Sequence, residues 1–324
     1  MTGRAPGSPG ARPTSTAKGP PMTWQPSHDD PLFILAMDHR ASFGKTLFGV
    51  EHDDPDETQL AAMQAAKKLI YDGLEQARPQ LTRGRAGVLV DEQYGQGVVD
   101  AAARERGGLV LAVPIEASGR DWFTPQWGKQ WLEHIERVRP DYAKVLVRDN
   151  PAYPAGEREQ QFDLLAEVSA RLHEIGTPLL YELLVPATPE QLAAAGGDAL
   201  AYDRDVRPAL VSEVIAANQA HGVEPRLWKV EGLETTDAAR QIAAQATAGG
   251  RQTDLIVLGR DAPEERLDHW LAVASEVPAF VGFAIGRSIW EDVVRDVEAG
   301  RRDGQAARAA IAERYLGFAA QWKA

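Results

Sequence analysis

Two lysines and two carboxylates stand in or at the end of short apolar runs, where a charge is costly. Lys144 lies in Tyr142-Ala143-Lys144-Val145-Leu146-Val147, Glu182 in Leu179-Leu180-Tyr181-Glu182-Leu183-Leu184, and Lys229 in Arg226-Leu227-Trp228-Lys229-Val230-Glu231. Asp38 closes the run Leu35-Ala36-Met37. A buried ammonium must be paired or lose its proton. A lysine that gives up its proton is a nucleophile toward carbonyl groups. Lys144 is therefore expected to act as the neighbouring cation that favours the neutral amine of Lys229. The carboxylates would move the protons of amine chemistry and C–C cleavage.

Such residues cooperate only if their elements bring them to one place. From Pro31 onward, apolar runs at 32–37, 87–90, 109–113, 142–147, 179–184, 226–230, 254–258 and 279–284 alternate with helical patterns. Those patterns fall at 57–76, 97–105, 125–138, 156–174, 206–221, 236–248, 263–276 and 288–298. Near-continuous apolar strands alternating with helices indicate a parallel sheet covered on both faces. Eight such units predict an α/β fold, the closed (β/α)8 TIM barrel, with an extra C-terminal helix over 304–321 that covers one end or makes an oligomer contact. An open doubly wound sheet is the rival. Neither a G-x-G-x-x-G after the first strand nor a Walker loop supports it.

In a barrel of this kind the active site lies at the C-terminal ends of the strands. Period-2 alternation puts Lys229 inward with Leu227 and Glu231, Lys144 with Leu146, Glu182 with Leu180 and Leu184, and Asp38 with Ile34 and Ala36. Arg40, Asp91 and Tyr94, at the tips of the first two strands, are expected to face a substrate. Gly259-Arg260 and Gly286-Arg287 end the last two strands, where barrel enzymes commonly hold phosphate. Glycine admits backbone N–H groups to the anion, and arginine adds a two-pronged contact. A lone strand lysine is more often solvated or ion-paired, and two Lys–Glu pairs could be a structural network. Their coincidence at strand tips favours chemistry.

Other classes recede on composition. The net charge of −12, from 35 basic and 47 acidic residues, argues against nucleic acid and anionic membranes as partners. No apolar run is long enough to span a bilayer. The absence of cysteine removes disulfides and thiolate catalysis and makes the cytoplasm the expected compartment. Of seven histidines only His39 stands at a strand end, so a zinc triad is not expected. A metal held by Asp38, Asp91 and Glu182 stays open. Residues 1–28, rich in Pro, Gly, Ser, Thr and Ala, read as a disordered tail, and 29–324 as one domain.

Several segments together resemble a known group. Leu35-Ala36-Met37-Asp38-His39-Arg40, Val90-Asp91-Glu92-Gln93-Tyr94-Gly95, Lys144-Val145-Leu146-Val147, Trp228-Lys229-Val230-Glu231 and Gly286-Arg287-Ser288-Ile289-Trp290 resemble the class I tagatose-bisphosphate aldolase family. Closer still is the 2-deoxy-5-keto-gluconate 6-phosphate aldolase domain of inositol catabolism, often fused behind a sugar kinase; a stand-alone barrel is the expectation here. The resemblance implies a cofactor-free, metal-independent lyase acting on a phosphorylated sugar. Lys229 would form the Schiff base, with Lys144 beside it, Glu182 as acid/base and Asp38 assisting. Gly259, Gly286 and Arg287 would hold the phosphate. Products would be dihydroxyacetone phosphate and malonate semialdehyde. The same framework also serves tagatose bisphosphate and sulfofructose phosphate, as lyase or transaldolase. A sugar-phosphate-binding barrel without turnover is the reading from another class.

Overall fold

The computed structural model describes residues 24–51, 54–105 and 107–323. Eight parallel strands close on themselves in sequence order. They are β1 (Leu32–Ala36), β2 (Arg85–Leu89), β3 (Val110–Pro114), β4 (Tyr142–Arg148), β5 (Leu179–Leu184), β6 (Leu227–Glu231), β7 (Asp254–Leu258) and β8 (Phe280–Ile285). The chain is thus the TIM barrel expected from the alternation.

Helices follow the strands. After β1 come α1 (Ala41–Phe48) and α2 (Glu57–Ala77), after β2 comes α3 (Glu92–Arg104), and after β3 comes α4 (Trp131–Val138). Helix α5 (Ala155–Ile175) follows β4, and α6 (Pro189–Ala194), α7 (Ala199–Ala201) and α8 (Arg207–Ala220) follow β5, with a π turn at Tyr202–Val206. The last four are α9 (Thr236–Ala246), α10 (Glu264–Ala274), α11 (Arg287–Glu298) and α12 (Gly304–Gln321). Helix α2 starts on a capping box in which Asp56 and Gln59 satisfy each other's N–H groups. Helix α5 stops at Gly176, in the left-handed conformation that glycine adopts without strain.

Strand alternation divides the core. Leu32, Ile34, Leu180, Leu227 and Ile256 fill the barrel interior, while Phe33, Leu35, Val145, Trp228 and Val230 pack outward against helices. The inward phase expected for the charged residues follows this division. Gly282 has φ +134°, and a Cβ there would lie 1.9 Å from the Leu32 carbonyl oxygen, so β1 and β8 approach as closely as they do only because this residue is glycine.

Residues 1–23 of the expected tail lie outside the described residues. From Trp24 the chain is packed under the barrel rather than trailing from it as far as residue 28. The Arg85 guanidinium lies 4.4 Å from the Trp24 ring centroid, and Arg226 donates to Gln25 at 2.7 Å. The ring of His28 meets that of Trp322, just past α12, at 6.3 Å between centroids. No helix among the described residues is long and apolar enough to cross a membrane.

Candidate active site

The register of the sheet puts Glu182 directly beside Lys229 on β5 and β6, and Lys144 beside Leu180 on β4 and β5. All three side chains enter the barrel mouth and are buried. One oxygen of Glu182 lies 3.0 Å from the Lys229 Nζ and 2.9 Å from the Lys144 Nζ. Lys144 also donates to Asp38 at 2.7 Å. The four residues expected to carry chemistry thus form one connected cluster.

A fifth member was not expected. Glu116, in the loop after β3, accepts from Lys144 at 2.8 Å through one oxygen and from the Leu146 N–H at 3.2 Å through the other. Arg40 donates to its carbonyl at 2.8 Å and lies 3.4 Å from its carboxylate. The alternation of β3 carries on past its end, since Ala112, Pro114 and Glu116 share one phase. Reading the strand only to residue 113 hid this.

Lys144 therefore stands among three carboxylates. Burial alone would lower its pKa, but Asp38, Glu116 and Glu182 together raise it. Its charge is compensated where it stands, so it does not act on Lys229 as a bare cation, contrary to expectation. Glu182 lies between the two ammonium groups instead. Burial pushes the carboxyls of Asp38 and Glu182 up, yet Lys144 and then Lys229 outweigh it, and both end below the usual range. For Glu116 burial prevails over Lys144 and Arg40, and its pKa is raised. Burial takes His39 down to about 3, so its imidazole is neutral.

These groups line a cavity of about 380 Å³ at the C-terminal ends of the strands. Gly259, Arg260, Gly286, Arg287 and Ser288 form its wall on the β7–β8 side. A Cβ at Gly286 would lie 2.4 Å from the Ala36 carbonyl oxygen, which explains the glycine there. Arg287 faces Asp261 at 3.2 Å. Arg260 is already engaged, with Glu231 at 2.9 Å and Asp203 at 2.8 Å, so it is less free for an anion than its position in the sequence suggests. On the opposite wall stand Ser118, Arg120, Trp122 and Arg148. Among the described residues no carboxylate lies within ion-pair distance of Arg120 or Arg148.

Asp91 and Tyr94 are placed elsewhere than expected. The Asp91 carboxylate is buried against Lys67 of α2 at 2.7 Å and caps α3 by accepting the Tyr94 N–H at 2.8 Å. The Tyr94 hydroxyl is bound by Gln93 at 2.8 Å. Neither residue lines the cavity. Arg40 does line it, although its guanidinium is turned to Glu116. Among the described residues no group of three His, Asp or Glu is arranged to hold a metal ion, and the three carboxylates of the cluster converge on an ammonium instead.

A family model described as "Uncharacterized protein conserved in bacteria (DUF2090)" matches residues 21–324. The chain belongs to that family. None of the curated proteins compared matches it. Among solved structures, Cgl0159 from Corynebacterium glutamicum (Brevibacterium flavum) is similar with a TM-score of 0.52 and 18% identity, over 88% of this chain and 86% of that one. An archaeal fructose 1,6-bisphosphate aldolase is similar with a TM-score of 0.52 and 13% identity, over 90% of this chain and 95% of that one. At such identities the likeness is one of fold: this DUF2090 member shares the barrel of that archaeal aldolase.

The arrangement suits proton-coupled chemistry at an amine. A lysine faces the cavity with an ionised carboxylate in contact, and a second carboxyl of raised proton affinity stands across Lys144. Carboxyls whose environments push their pKa values apart can serve as base and acid in one site.

Proposed function

We propose that this protein is a class I aldolase that cleaves a phosphorylated keto sugar or keto sugar acid through a Schiff base on Lys229. The observation that carries the reading is the single Glu182 oxygen shared by Lys229 and Lys144 at the closed end of a cavity with cationic walls. Glu182 takes a proton from Lys229, the free amine attacks the substrate ketone, and the same proton returned to the carbinolamine hydroxyl lets it leave as water to give an iminium ion. A carboxylate, Glu182 in this reading with Asp38 assisting, takes the proton of the hydroxyl on the carbon β to the imine. The bond between the α and β carbons then breaks, and its electron pair enters the imine as an enamine. An aldehyde leaves; protonation of the enamine and hydrolysis return the amine. Holding the ketone against the lysine supplies much of the rate.

The wall of Gly259, Gly286 and Arg287 suits a phosphate. Arg120 and Arg148 stand across the mouth, since β4 and β8 are opposite in an eight-stranded barrel and β6 lies midway between them. A substrate charged at both ends would span them with its ketone near Lys229. 2-Deoxy-5-keto-gluconate 6-phosphate, cleaved to dihydroxyacetone phosphate and malonate semialdehyde, meets this requirement, as do tagatose bisphosphate and sulfofructose phosphate, and it is placed first because the motif segments resemble its aldolase most closely. The resemblance of the Lys144, Lys229 and Gly286 segments to class I aldolases supports the aldolase reading, as does the fold shared with an archaeal fructose 1,6-bisphosphate aldolase.

The test is reduction with borohydride in the presence of dihydroxyacetone phosphate, followed by peptide mass mapping. A stable adduct on Lys229 is the expected result. No adduct, or one on Lys144, overturns the assignment. Comparison of kcat/KM across the three substrates then chooses among them, and activity retained in EDTA rejects an essential metal.

A further inference from the structure

Among the described residues, Lys67 is the one fully buried lysine that the chemistry above does not use. It lies in α2, is 0% exposed, and passes beneath the turn that follows β1. Its Nζ donates to the Met37 carbonyl, to the His39 carbonyl at 2.9 Å and to the Asp91 carboxylate at 2.7 Å. The ammonium also lies 4.6 Å from the ring centroid of Phe43 in α1. Three donor sites of one ammonium are thus satisfied, two of them by the carbonyls on either side of Asp38.

Those carbonyls point away from the cavity while the Asp38 side chain points into it, to Lys144. The Met37 N–H still donates to the Leu89 carbonyl of β2 at 2.7 Å, and past that last ladder bond it is Lys67 that holds the carbonyls on either side of Asp38. Lys67 is held in turn by Asp91, and Asp91 by the first turn of α3. We propose that Lys67, locked by Asp91, is a positioning residue of the active site that sets the backbone on both sides of Asp38 and thereby the contact of Asp38 with Lys144. Burying a charge pair where two apolar residues would pack is costly. Alignment of a reacting group is a reason to retain it.

The test is the double variant Lys67→Met/Asp91→Asn, which removes both buried charges and keeps an amide oxygen at position 91 as an acceptor for the Tyr94 N–H. The structural readout is the Asp38–Lys144 separation in a crystal of the variant, expected to lengthen from 2.7 Å. The kinetic readout rests on the aldolase reading: kcat is expected to fall roughly tenfold to hundredfold with KM changed much less. The acid limb of the pH–rate profile is expected to move to higher pH. Asp38 is faced by Lys144 from β4, by Lys229 from β6, by Lys67 itself from α2 and by His39 beside it, with Glu116 and Glu182 as like charges. Loosening its contact with Lys144 returns its carboxyl toward the ordinary range. A variant with the parent's separation, kcat and acid limb overturns the proposal. A parent protein that shows no turnover or trapping defeats the aldolase reading, while the separation still decides the positioning role. If the double variant does not fold, Lys67→Gln/Asp91→Asn, which keeps a donor for at least one carbonyl, is read by the same three measurements. Parent values in all three again overturn the proposal.

Discussion

Lys144→Met removes the hub of the cluster and leaves a side chain of similar length. Around Lys144 the structure gathers three carboxylates, Asp38, Glu116 and Glu182, and two further cations, Lys229 and Arg40. The six formal charges sum to zero; without Lys144 the sum is −1, and three buried carboxylates lose their common donor. Breaking a buried ion pair by removing one partner costs about 3–5 kcal/mol. At about 2.1 cal/mol/K per residue, the chain of 324 residues has an unfolding entropy near 0.7 kcal/mol/K, so the loss corresponds to about 4–7 °C in Tm. The cost should also depend on pH, with a definite sign. In the parent, the depressed Asp38 and Glu182 stabilise the fold above the ordinary carboxylate range and lose that contribution only as pH falls below it, toward their lowered pKa values. In the variant, burial without Lys144 raises these carboxyls, so the folded state takes up protons and recovers relative to the parent as pH falls. Thermal melts of both proteins at matched scan rate, at pH 8 and pH 5, check this. A gap below about 2 °C at pH 8, or one that does not narrow at pH 5, would refute the account of Lys144 as the charge that holds the carboxylates together.

Three further outcomes are expected. Glu116→Gln should lower kcat by about 10²–10⁴, as for loss of an acid–base group, with a smaller loss of Tm than Lys144→Met because burial already disfavours the Glu116 charge; steady-state kinetics beside a melt separate the two effects. Gly282→Ala should sharply reduce the yield of soluble protein, because its Cβ would meet the Leu32 carbonyl oxygen at 1.9 Å and β1 would have to shift. Glu92 and His134 are in contact, and burial raises the acid to about 7 and lowers the imidazole to about 4. As pH falls, the raised acid adds stability between its two pKa values while the depressed histidine removes it, so the two slopes oppose each other. Glu92→Gln should leave the histidine slope alone, and Tm should fall more steeply than in the parent between pH 7 and pH 5.

Strands were the most legible feature, since each of the eight apolar runs became a strand with ends within two residues of those expected. Their charged residues followed from period-2 alternation alone. Helix α1 was not legible: Gly44 and Thr46 interrupt a stretch of eight residues, and packing of Phe43 rather than propensity makes it helical. Helix α3 begins at Glu92 rather than near Gly97, because the Asp91 cap carries the helix across Gly95, whose φ of −114° is not helical. Asp91 was misplaced because its partner comes from a helix. Lys67 carried a readable signal all the same. Met63, Lys67, Ile70 and Leu74 share the buried face of α2, at the spacing of a helix stripe. A lysine on such a stripe, beside the exposed Lys68, is where a buried donor should be sought.

The meeting of His28 and Trp322 under the barrel bears on how freely the order of elements can be changed. With the two ends of the closed ring of units adjacent, a short peptide between them could make the chain circular in connectivity. New termini at Gly196-Gly197, exposed in the connection between β5 and β6 and outside the cavity wall, would then start the polypeptide at its sixth strand. Such a permuted chain should keep the Lys144–Glu182–Lys229 contacts and melt within a few degrees of the parent. The barrel would then tolerate a start at its sixth strand, with function set by which strands are neighbours rather than by which is made first.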